Sequence, residues 1–484
     1  MTHPPSRAVS RRNLLRAAMA AAGSVAAGQT LTSCGLVDGE ASAVAVTPTP
    51  RGDQANDVRG PFSWRRAAGT PLHLLLVDHP YTRALVDDIA TFGALTGIDV
   101  TYDVVAESRY FDDVTIALLD AEATYDAFMT GAYMVWQYGP PGWMEDLQPW
   151  LDNRSATDPG YDLDDIHPHL LAADRWNLTN GSPVGTGGQW AIPFGWESNV
   201  IAYQATEFRR LGLKPPTTLD DLEDVAAAYL RDSRQAGRAD AYGLAVRGSL
   251  SWASVHAGFM TQFAREGGRD FSSGTTGLVP TFTSAASLAF HEQWMRTVRD
   301  SGPPDWRSYD YADCARDLAT GRAGMMYDAT SVTLPLNSPG GRRVTGQLAW
   351  SPGPAGSDGS LDTNLWVWSL AINSRSARKT AAWLWVQWAT GREHLLKAAL
   401  HHSHSDPVRA SVADHPGYRA KLAPNVGYLD SIDAVRDSTR VLFTPQRRFF
   451  DVTTSWAEAL HDIYRGEGAP SRLGTLSQDL VKRV

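Results

Sequence analysis

LHLLLVDHPY occupies residues 72–81 and joins an apolar run to a polar turn. Its first six residues predict a buried strand, because a short apolar run that ends at turn residues is typical of one. Residues 81–96 then show helical spacing of apolar side chains, and Gly97 marks the end of that helix. Residues 98–105 predict a second strand.

The same alternation continues, with a predicted helix at residues 110–122 and a third strand at residues 126–129. Alternating strands and helices predict an α/β fold, with a mostly parallel sheet and helices on both faces. Ligands of such sheets bind beyond the carboxyl ends of the strands. The segments at those ends are residues 78–81, 107–110 and 130–133.

Three more helices follow from the sequence pattern. One begins at Thr218, whose hydroxyl we expect to cap it, with Asp221 three residues later in the position of a capping box. The other two cover residues 284–299 and 377–400, and the second of these is rich in tryptophan.

The N-terminal residues have the pattern of an export signal. Arg11 and Arg12 precede a weakly apolar run at residues 17–27, which is too short for a membrane span of about 20 apolar residues. We therefore predict a signal peptide of the twin-arginine (Tat) type at residues 1–33. Residues 31–35 (LTSCG) fit a bacterial lipobox, so that Cys34 is the expected site of lipidation, including palmitate.

Residues 34–69 are rich in Gly, Ala, Pro and Asp, and we predict a flexible tether there. No later segment approaches 18 uninterrupted apolar residues, which predicts a soluble body held by its anchor. After lipidation of Cys34 only Cys314 remains, so no intramolecular disulfide is possible. We expect Cys314 to be a small buried hydrophobic residue.

Charge argues against a nucleic-acid partner. Residues 1–33 carry four arginines and no acidic residue, so their removal changes the net charge from −9 to −13. A nucleic-acid-binding protein would need a basic face.

Catalytic and metal-binding motifs are missing from the sequence, and we predict neither a cofactor nor a metal site. The histidines at residues 401–404 (HHSH) are the one metal-like cluster, but adjacent side chains on a loop seldom converge on an ion. The chain has 17 Trp, 16 Tyr and 14 Phe. Aromatic faces that lie beside carboxylates and amides suit a neutral polyhydroxylated ligand, because the rings contact its C–H groups and the polar groups bind its hydroxyls.

Six motifs in a fixed order resemble those of the extracellular solute-binding proteins of the maltose-binding type, the sugar-binding components of ABC importers. The most specific is FRRLGLKPPTT at residues 208–218, which is similar to the family pattern F-x-x-x-G-L-x-P-P-x-T. The others are MEDLQPWL at residues 144–151, IPFGWESNVIAY at 192–203, LATGRAGMM at 318–326, NLWVWSLAI at 364–372 and PVRAS at 407–411.

The resemblance implies a two-lobe, type II periplasmic-binding-protein-like fold. Each lobe would hold a sheet flanked by helices, with the ligand cleft between the lobes. The N-terminal lobe would comprise residues 70–198 plus 330–374, and the C-terminal lobe residues 199–329 plus 375–484. Closure of the lobes would shield the hydrogen bonds to the ligand from water.

The resemblance also indicates ligand-binding residues. Glu197 matches the sugar-binding carboxylate of the strand that crosses between lobes, and Trp366 matches a tryptophan that faces the cleft. The remaining candidates come from loop positions and are Asp78, Tyr81, Tyr133, Trp196, Trp252, Tyr327 and Asp328.

We therefore expect a non-enzymatic, monomeric lipoprotein on the outer face of the cytoplasmic membrane. It would capture a sugar, oligosaccharide or polyol and deliver it to the ABC permease. Two alternatives remain open from the sequence. The same fold could bind a glycerophosphodiester or a cation, using charged residues such as Glu107, Arg109 and Arg247, or the chain could be an exported glycoside hydrolase, whose two carboxylates no motif reveals.

Overall fold

The computed structural model describes residues 52–275, 277–337 and 347–483. The predicted signal peptide at residues 1–33 and the lipidation site Cys34 lie outside the described residues. Within the described ranges, no helix is long and apolar enough to cross a lipid bilayer.

The strands are short and are distributed over the whole of the described chain. They are β1 (Pro71–Val77), β2 (Asp99–Val105), β3 (Ala127–Thr130), β4 (Arg175–Trp176), β5 (Gly188–Gln189), β6 (Ile192–Glu197), β7 (Asn199–Gln204), β8 (Tyr242–Ala245), β9 (Phe271–Ser273), β10 (Leu278–Pro280), β11 (Ala323–Ala329), β12 (Leu348–Ser351), β13 (Thr363–Asn364), β14 (Trp366–Ile372) and β15 (Thr439–Arg440).

Helices fill most of the intervals between the strands. They are α1 (Pro80–Asp87), α2 (Ile89–Thr96), α3 (Glu107–Leu119), α4 (Ala132–Tyr138), α5 (Gln148–Asp152), α6 (Pro168–Ala173), α7 (Ala205–Leu211), α8 (Leu219–Gln235), α9 (Ala253–His256), α10 (Phe259–Arg265), α11 (Ala285–Ser301), α12 (Tyr311–Thr320), α13 (Thr330–Thr333), α14 (Lys379–Ala389), α15 (Arg392–His401), α16 (Ala410–Ala413), α17 (Pro416–Leu422), α18 (Tyr428–Val435), α19 (Phe449–Tyr464) and α20 (Ala469–Val481).

Two sheets organise the molecule. The first sheet has the strand order β2-β1-β3-β14-β6, and the second has the order β12-β7-β11-β8. In the first sheet β1 pairs in parallel with β2 and β3, whereas β14 pairs antiparallel with β3 and β6. The first sheet is therefore mixed, and the mostly parallel sheet predicted from the sequence is confirmed only for its N-terminal strands.

The chain passes from the first sheet to the second within one residue. Strand β6 ends at Glu197 and β7 begins at Asn199, so that only the buried Ser198 separates strands of different sheets. A side chain at the end of β6 therefore lies where the two sheets meet.

The predicted lobe boundaries differ from the observed strand pairing. Residues 330–374 were predicted to lie in the N-terminal lobe, but β12 pairs with β7 and belongs to the second sheet. The chain returns to the first sheet only at β14. The sequence could not show this, because strand pairing depends on partners that are distant in the chain.

The assignment of residues 375–484 to the C-terminal lobe differs from the observed contacts in its first part. Helix α14 packs on the first sheet, where its Trp385 ring meets Phe92 of α2 edge-on, with ring centroids 5.2 Å apart. Helix α15 places His394 and Lys397 beside Asp88 of the same lobe. Helices α18 to α20 contact elements of the second lobe.

The structure describes the predicted tether at residues 34–69 only from Gly52 onward. Within the predicted range 34–69, residues from Gly52 onward pack on the body. The Asp53 carboxylate accepts hydrogen bonds from the backbone N–H groups of Lys379 (3.0 Å) and Thr380 (2.9 Å), which caps the start of α14. The Asn153 amide donates to the carbonyl oxygen of Ala55 at 2.6 Å. We predict a tether here because the segment has low hydrophobicity, and hydrophobicity gives no indication of polar contacts with distant residues.

Asp174 is a buried carboxyl group beside β14. Its Oδ2 accepts a hydrogen bond from the Ser369 hydroxyl at 2.5 Å, while its Oδ1 has no partner among the described residues. Burial raises the pKa of Asp174 to about 7, and the hydrogen bond from Ser369 opposes this only in part. The folded protein therefore holds a proton that the unfolded chain releases near pH 4.

This pKa predicts a stability that falls as the pH rises. A carboxyl whose folded pKa is raised contributes stability below its unfolded pKa and loses it as the pH rises through the folded pKa, here near pH 7. We expect Asp174→Asn to remove about 2–3 kcal/mol of the difference in unfolding free energy between pH 5 and pH 8. Urea unfolding at both pH values measures it. The exposed Asp224→Asn is the control, and an unchanged pH difference in Asp174→Asn would contradict the prediction.

Candidate binding cleft

A cavity of about 730 Å³ lies among residues of both lobes. From the first lobe it is lined by Asp78, His79, Pro80, Arg83, Glu107, Glu197, Trp366, Trp368 and Ser403. From the second lobe it is lined by Arg247, Trp252, His256, Tyr311, Ala312, Ala315, Arg316, Ala319, Thr320, Ser331, Val332, Pro335 and Leu336. Asp78 directly follows β1, and Glu107 follows β2 after one residue, so the carboxyl edge of these parallel strands faces this cavity, as the sequence predicted.

Glu197 is the central polar group of the cavity. Its Oε1 accepts hydrogen bonds from the Ser331 hydroxyl at 2.7 Å and from the Trp368 indole N–H at 2.8 Å. The Nε2 of His79 lies 3.3 Å from the same oxygen. All of these contacts end on Oε1, and within the described part of the chain no hydrogen bond ends on Oε2. One oxygen of the carboxylate is thus held in place while the other is available to a ligand.

The surroundings of Glu197 keep it ionised. Burial by itself would raise its pKa, but the hydrogen bond and charge of His79, with the hydrogen bonds from Ser331 and Trp368, lower the pKa to about 2. At neutral pH the group is therefore a fixed carboxylate. A carboxylate accepts hydrogen bonds and donates none, which suits the hydroxyl groups of a ligand.

A tryptophan wall stands next to this carboxylate. The rings of Trp252 and Trp366 are stacked with centroids 5.2 Å apart and planes at 29°, and Trp368 meets Trp366 edge-on at 5.1 Å. Trp366 lies opposite Glu197 in the register of β14 and β6, so the two side chains share a face of the sheet. The buried Nε1–H of Trp366 has no partner among the described residues. The wall offers an apolar surface with one free donor.

His256 supplies a neutral hydrogen-bond donor. The Oδ1 of Asn364 accepts from the backbone N–H of Leu442, which directs the Asn364 amide nitrogen to Nδ1 of His256 at 2.7 Å. Burial and the nearby charge of Arg247 lower the pKa of His256 to about 3. Since Nδ1 accepts from an amide that can only donate, the ring proton is on Nε2.

Arg247 is held by a buried acid behind the cavity wall. Its Nε and Nη2 donate to the two carboxylate oxygens of Asp328 at 2.9 and 2.5 Å. The guanidinium also lies over the ring of Tyr311, 5.5 Å from its centroid. This bidentate pair fixes the orientation of Arg247.

Four of the nine residues predicted from the sequence line the cavity, namely Glu197, Trp366, Asp78 and Trp252. The sequence missed His79, Trp368, His256 and Ser331. For two of these a signal existed. His79 follows Asp78 directly after β1, and Trp368 is two residues after Trp366, a spacing that places both rings on one face of a strand.

The other five predicted residues do not line the cavity. Three of them are buried tyrosines with protein partners. Tyr81 donates to the Asp406 carboxylate at 3.0 Å, and Tyr133 donates to the carbonyl oxygen of Leu365 at 2.8 Å. Tyr327 has its hydroxyl 3.3 Å from the Arg265 guanidinium, which donates to it. Each is a core residue whose hydroxyl is satisfied inside the fold.

Strand alternation explains the remaining two. Trp196 precedes Glu197 on β6 and points to the opposite face, where its indole N–H donates to the carbonyl oxygen of Pro407 at 3.2 Å. Asp328 lies behind Arg247 and holds that side chain in place. Loop position alone did not distinguish these directions.

The histidines at residues 401–404 diverge in the structure. His404 is buried and stacks on the Tyr81 ring with centroids 4.2 Å apart, whereas His402 lies 3.4 Å from Asp87. Over residues 52–275, 277–337 and 347–483, no group of three or more His, Cys, Asp or Glu side chains is arranged to hold a metal ion. Cys314 is a buried free thiol.

Residues 78–394 match the sequence model of the bacterial extracellular solute-binding proteins. This chain belongs to that family. The match begins at the first cavity residue after β1 and includes every strand of both principal sheets except β1 itself.

Individual members of the family are similar over nearly the whole chain. The erythritol/L-threitol-binding protein of Mycolicibacterium smegmatis is 44% identical over 480 residues, which cover 99% of this chain and 97% of that protein. Two solved solute-binding proteins share the fold. One, from Agrobacterium vitis S4 with bound D-mannitol, has a TM-score of 0.70 at 24% identity and covers 86% of this chain and 98% of its own. The other, from Agrobacterium radiobacter K84 in complex with ribitol, has a TM-score of 0.71 at 20% identity, with coverage of 87% and 99%.

Proposed function

We propose that this solute-binding protein captures an acyclic polyol and delivers it to the permease of an ABC importer. The arrangement of Glu197 beside the tryptophan wall carries the proposal. A polyol presents hydroxyl groups at every carbon and C–H groups between them. The free oxygen of Glu197 suits the hydroxyls, and the faces of Trp366 and Trp252 suit the C–H groups.

The 44% identical relative supports a polyol over a larger sugar. The 44% identical protein of M. smegmatis is named for erythritol and L-threitol, and two proteins of the same fold hold mannitol and ribitol. These compounds are open-chain polyols of four to six carbons. The identity over nearly the whole chain favours a short polyol as the ligand here.

The ligand contacts would come from the cavity residues that the sequence and the structure share. We assign hydroxyl binding to Glu197 and Asp78, and the apolar contacts to Trp366 and Trp252. His256 adds a neutral donor beside the tryptophan wall. Closure of the lobes around the polyol would exclude water, and binding would favour the closed state by the difference in affinity between the two states.

The proposed location follows from the N-terminal sequence. Export through the Tat pathway and lipidation of Cys34 would hold a monomer on the outer face of the cytoplasmic membrane. Because residues from Gly52 onward pack on the body, the tether would be confined to residues 34–51. Capture without chemical change of the ligand is the expected activity, and we propose no catalytic residue.

Calorimetric titration of the mature protein tests this function. We expect reversible binding of at least one of erythritol, L-threitol, ribitol and mannitol at micromolar or lower Kd, about −8 kcal/mol or better. Maltose is the disaccharide control and should bind at least tenfold more weakly. NMR of the recovered polyol should show it unchanged. Failure of all four polyols to bind would refute the proposed function. Tight binding of maltose alone would show that the ligand class is oligosaccharides and not polyols.

A further inference from the structure

The inner wall of the cavity, counted together with the Asp328 side chain that lies behind it, contains more carboxylates than cations. Its acidic groups are Glu107, Glu197 and the Asp328 side chain behind Arg247, and its basic groups are His79 and Arg247. Each of the two basic groups is already paired with one acid. His79 lies 3.3 Å from Glu197, and Arg247 forms its bidentate pair with Asp328. An anionic ligand would therefore meet no uncommitted cation on this wall.

Glu107 is the carboxyl group that remains. It begins α3, directly after β2, and no hydrogen bond or ion pair to it occurs within the described part of the chain. The pKa of Glu107 is raised, chiefly by burial, and the charges of His79 and Arg247 oppose this rise only in part. A carboxylate in the first turn of a helix is also favoured by the helix dipole. Among the described residues, Glu107 is thus the partly buried acid of the wall with no protein partner, in addition to the solvent-exposed Asp78, which also lines the cavity.

Two further arginines line the outer part of the cavity but do not change this balance. Arg83 and Arg316 are exposed to solvent. Arg316 is also paired with Asp313 at 2.5 Å. Exposed charges are screened by water and salt. These two arginines therefore offset little of the repulsion between the buried carboxylates and an anionic ligand.

We propose that the cleft selects neutral polyols against the corresponding sugar acids, and that Glu107 sets this selectivity. The inference rests on the proposed function, because it concerns the charge class of the same ligand. A hydroxyl group of a polyol can donate a hydrogen bond to the Glu107 carboxylate. An aldonate of the same carbon chain would place its own carboxylate among acids, and such like-charge contact in a partly buried site is strongly unfavourable.

The test compares two matched pairs, erythritol with erythronate and ribitol with ribonate. Titration calorimetry of the wild-type protein should give a Kd for the aldonate roughly 100-fold or more above that of the polyol it matches. Glu107→Gln should narrow this ratio at least tenfold, since it removes the charge and keeps the shape. Asp113→Asn, on the same helix and outside the cavity lining, makes the same charge change and should leave the ratio as in the wild type.

The outcomes separate the two proposals. The wild-type ratio tests charge selection without any variant, so a Glu107→Gln protein that does not fold leaves the first part of the test intact. Aldonate binding within tenfold of polyol binding in the wild type would overturn the inference while leaving polyol capture in place. A ratio unchanged by Glu107→Gln would remove Glu107 from its role. Absence of binding by both of these polyols and also by L-threitol and mannitol would instead refute the proposed function.

Discussion

Glu197→Ala is expected to weaken polyol binding roughly 100-fold or more. The variant removes the ionised acceptor and also leaves the donors of Ser331 and Trp368 without their common partner. Loss of one member of a buried, charge-assisted hydrogen-bond cluster costs about 2–5 kcal/mol, much of it from the groups left unpaired. Calorimetric titration with the tightest-binding polyol of the four measures the change in Kd.

The exposed Glu467→Ala is the matched control, because it removes the same group away from the cavity. Its Kd should equal that of the wild type. Thermal unfolding of both variants separates a loss of the site from a loss of the fold. A folded Glu197→Ala protein that binds the polyol within threefold of the wild type would remove Glu197 from the ligand site.

Trp366→Ala is expected to weaken polyol binding about 30-fold or more, as for a buried aromatic anchor at the centre of a binding site. It should also lower the unfolding free energy by about 3–5 kcal/mol, because the ring fills space between Trp252 and Trp368. Trp366→Phe keeps part of the apolar wall and should lose less in both measurements. Titration and urea unfolding of the two variants give the comparison.

The half-buried Trp190→Ala is the control for loss of a tryptophan outside the cavity lining. It should affect stability without affecting the Kd for the polyol. The tryptophan wall would have no role in binding under two joint conditions. Trp366→Phe would keep the unfolding free energy of the wild type, and a folded Trp366→Ala protein would bind the polyol with the wild-type Kd.

Local sequence signals predicted several strand and helix boundaries well. The strand at residues 72–77 corresponds to β1, and Gly97 ends α2 in the left-handed conformation at φ 73°, as a C-terminal glycine does. Thr218 caps α8 in a full capping box with Asp221. These features depend on neighbours within a few residues, which is why the sequence contained them.

Features that depend on distant partners were not predictable in the same way. The single helix expected at residues 81–96 is two helices that meet at Asp88, where His394 and Lys397 of α15 contact the carboxylate. No glycine or proline marks that break. The place of β12 in the second sheet likewise depends on its pairing with β7, about 145 positions earlier in the chain.

The candidate site shows the same division. Glu197 and Trp366 were found from motif order, and the register of β6 and β14 places them opposite each other. Polar aromatic residues are common in binding sites, but the hydroxyl groups of Tyr81, Tyr133 and Tyr327 form their hydrogen bonds inside the core. Whether a polar aromatic residue faces a ligand or a buried carboxylate is decided by packing, which composition does not reveal.

A crystal structure of the mature protein with the tightest-binding polyol would show whether the ligand lies between Glu197 and the tryptophan wall. We expect closed lobes around the polyol, a ligand hydroxyl about 2.5–3.0 Å from Glu197 Oε2, and the carbon chain against the Trp366 ring. A polyol bound outside the cavity, or one inside it that contacts neither Glu197 nor Trp366, would show that the ligand site is assigned wrongly.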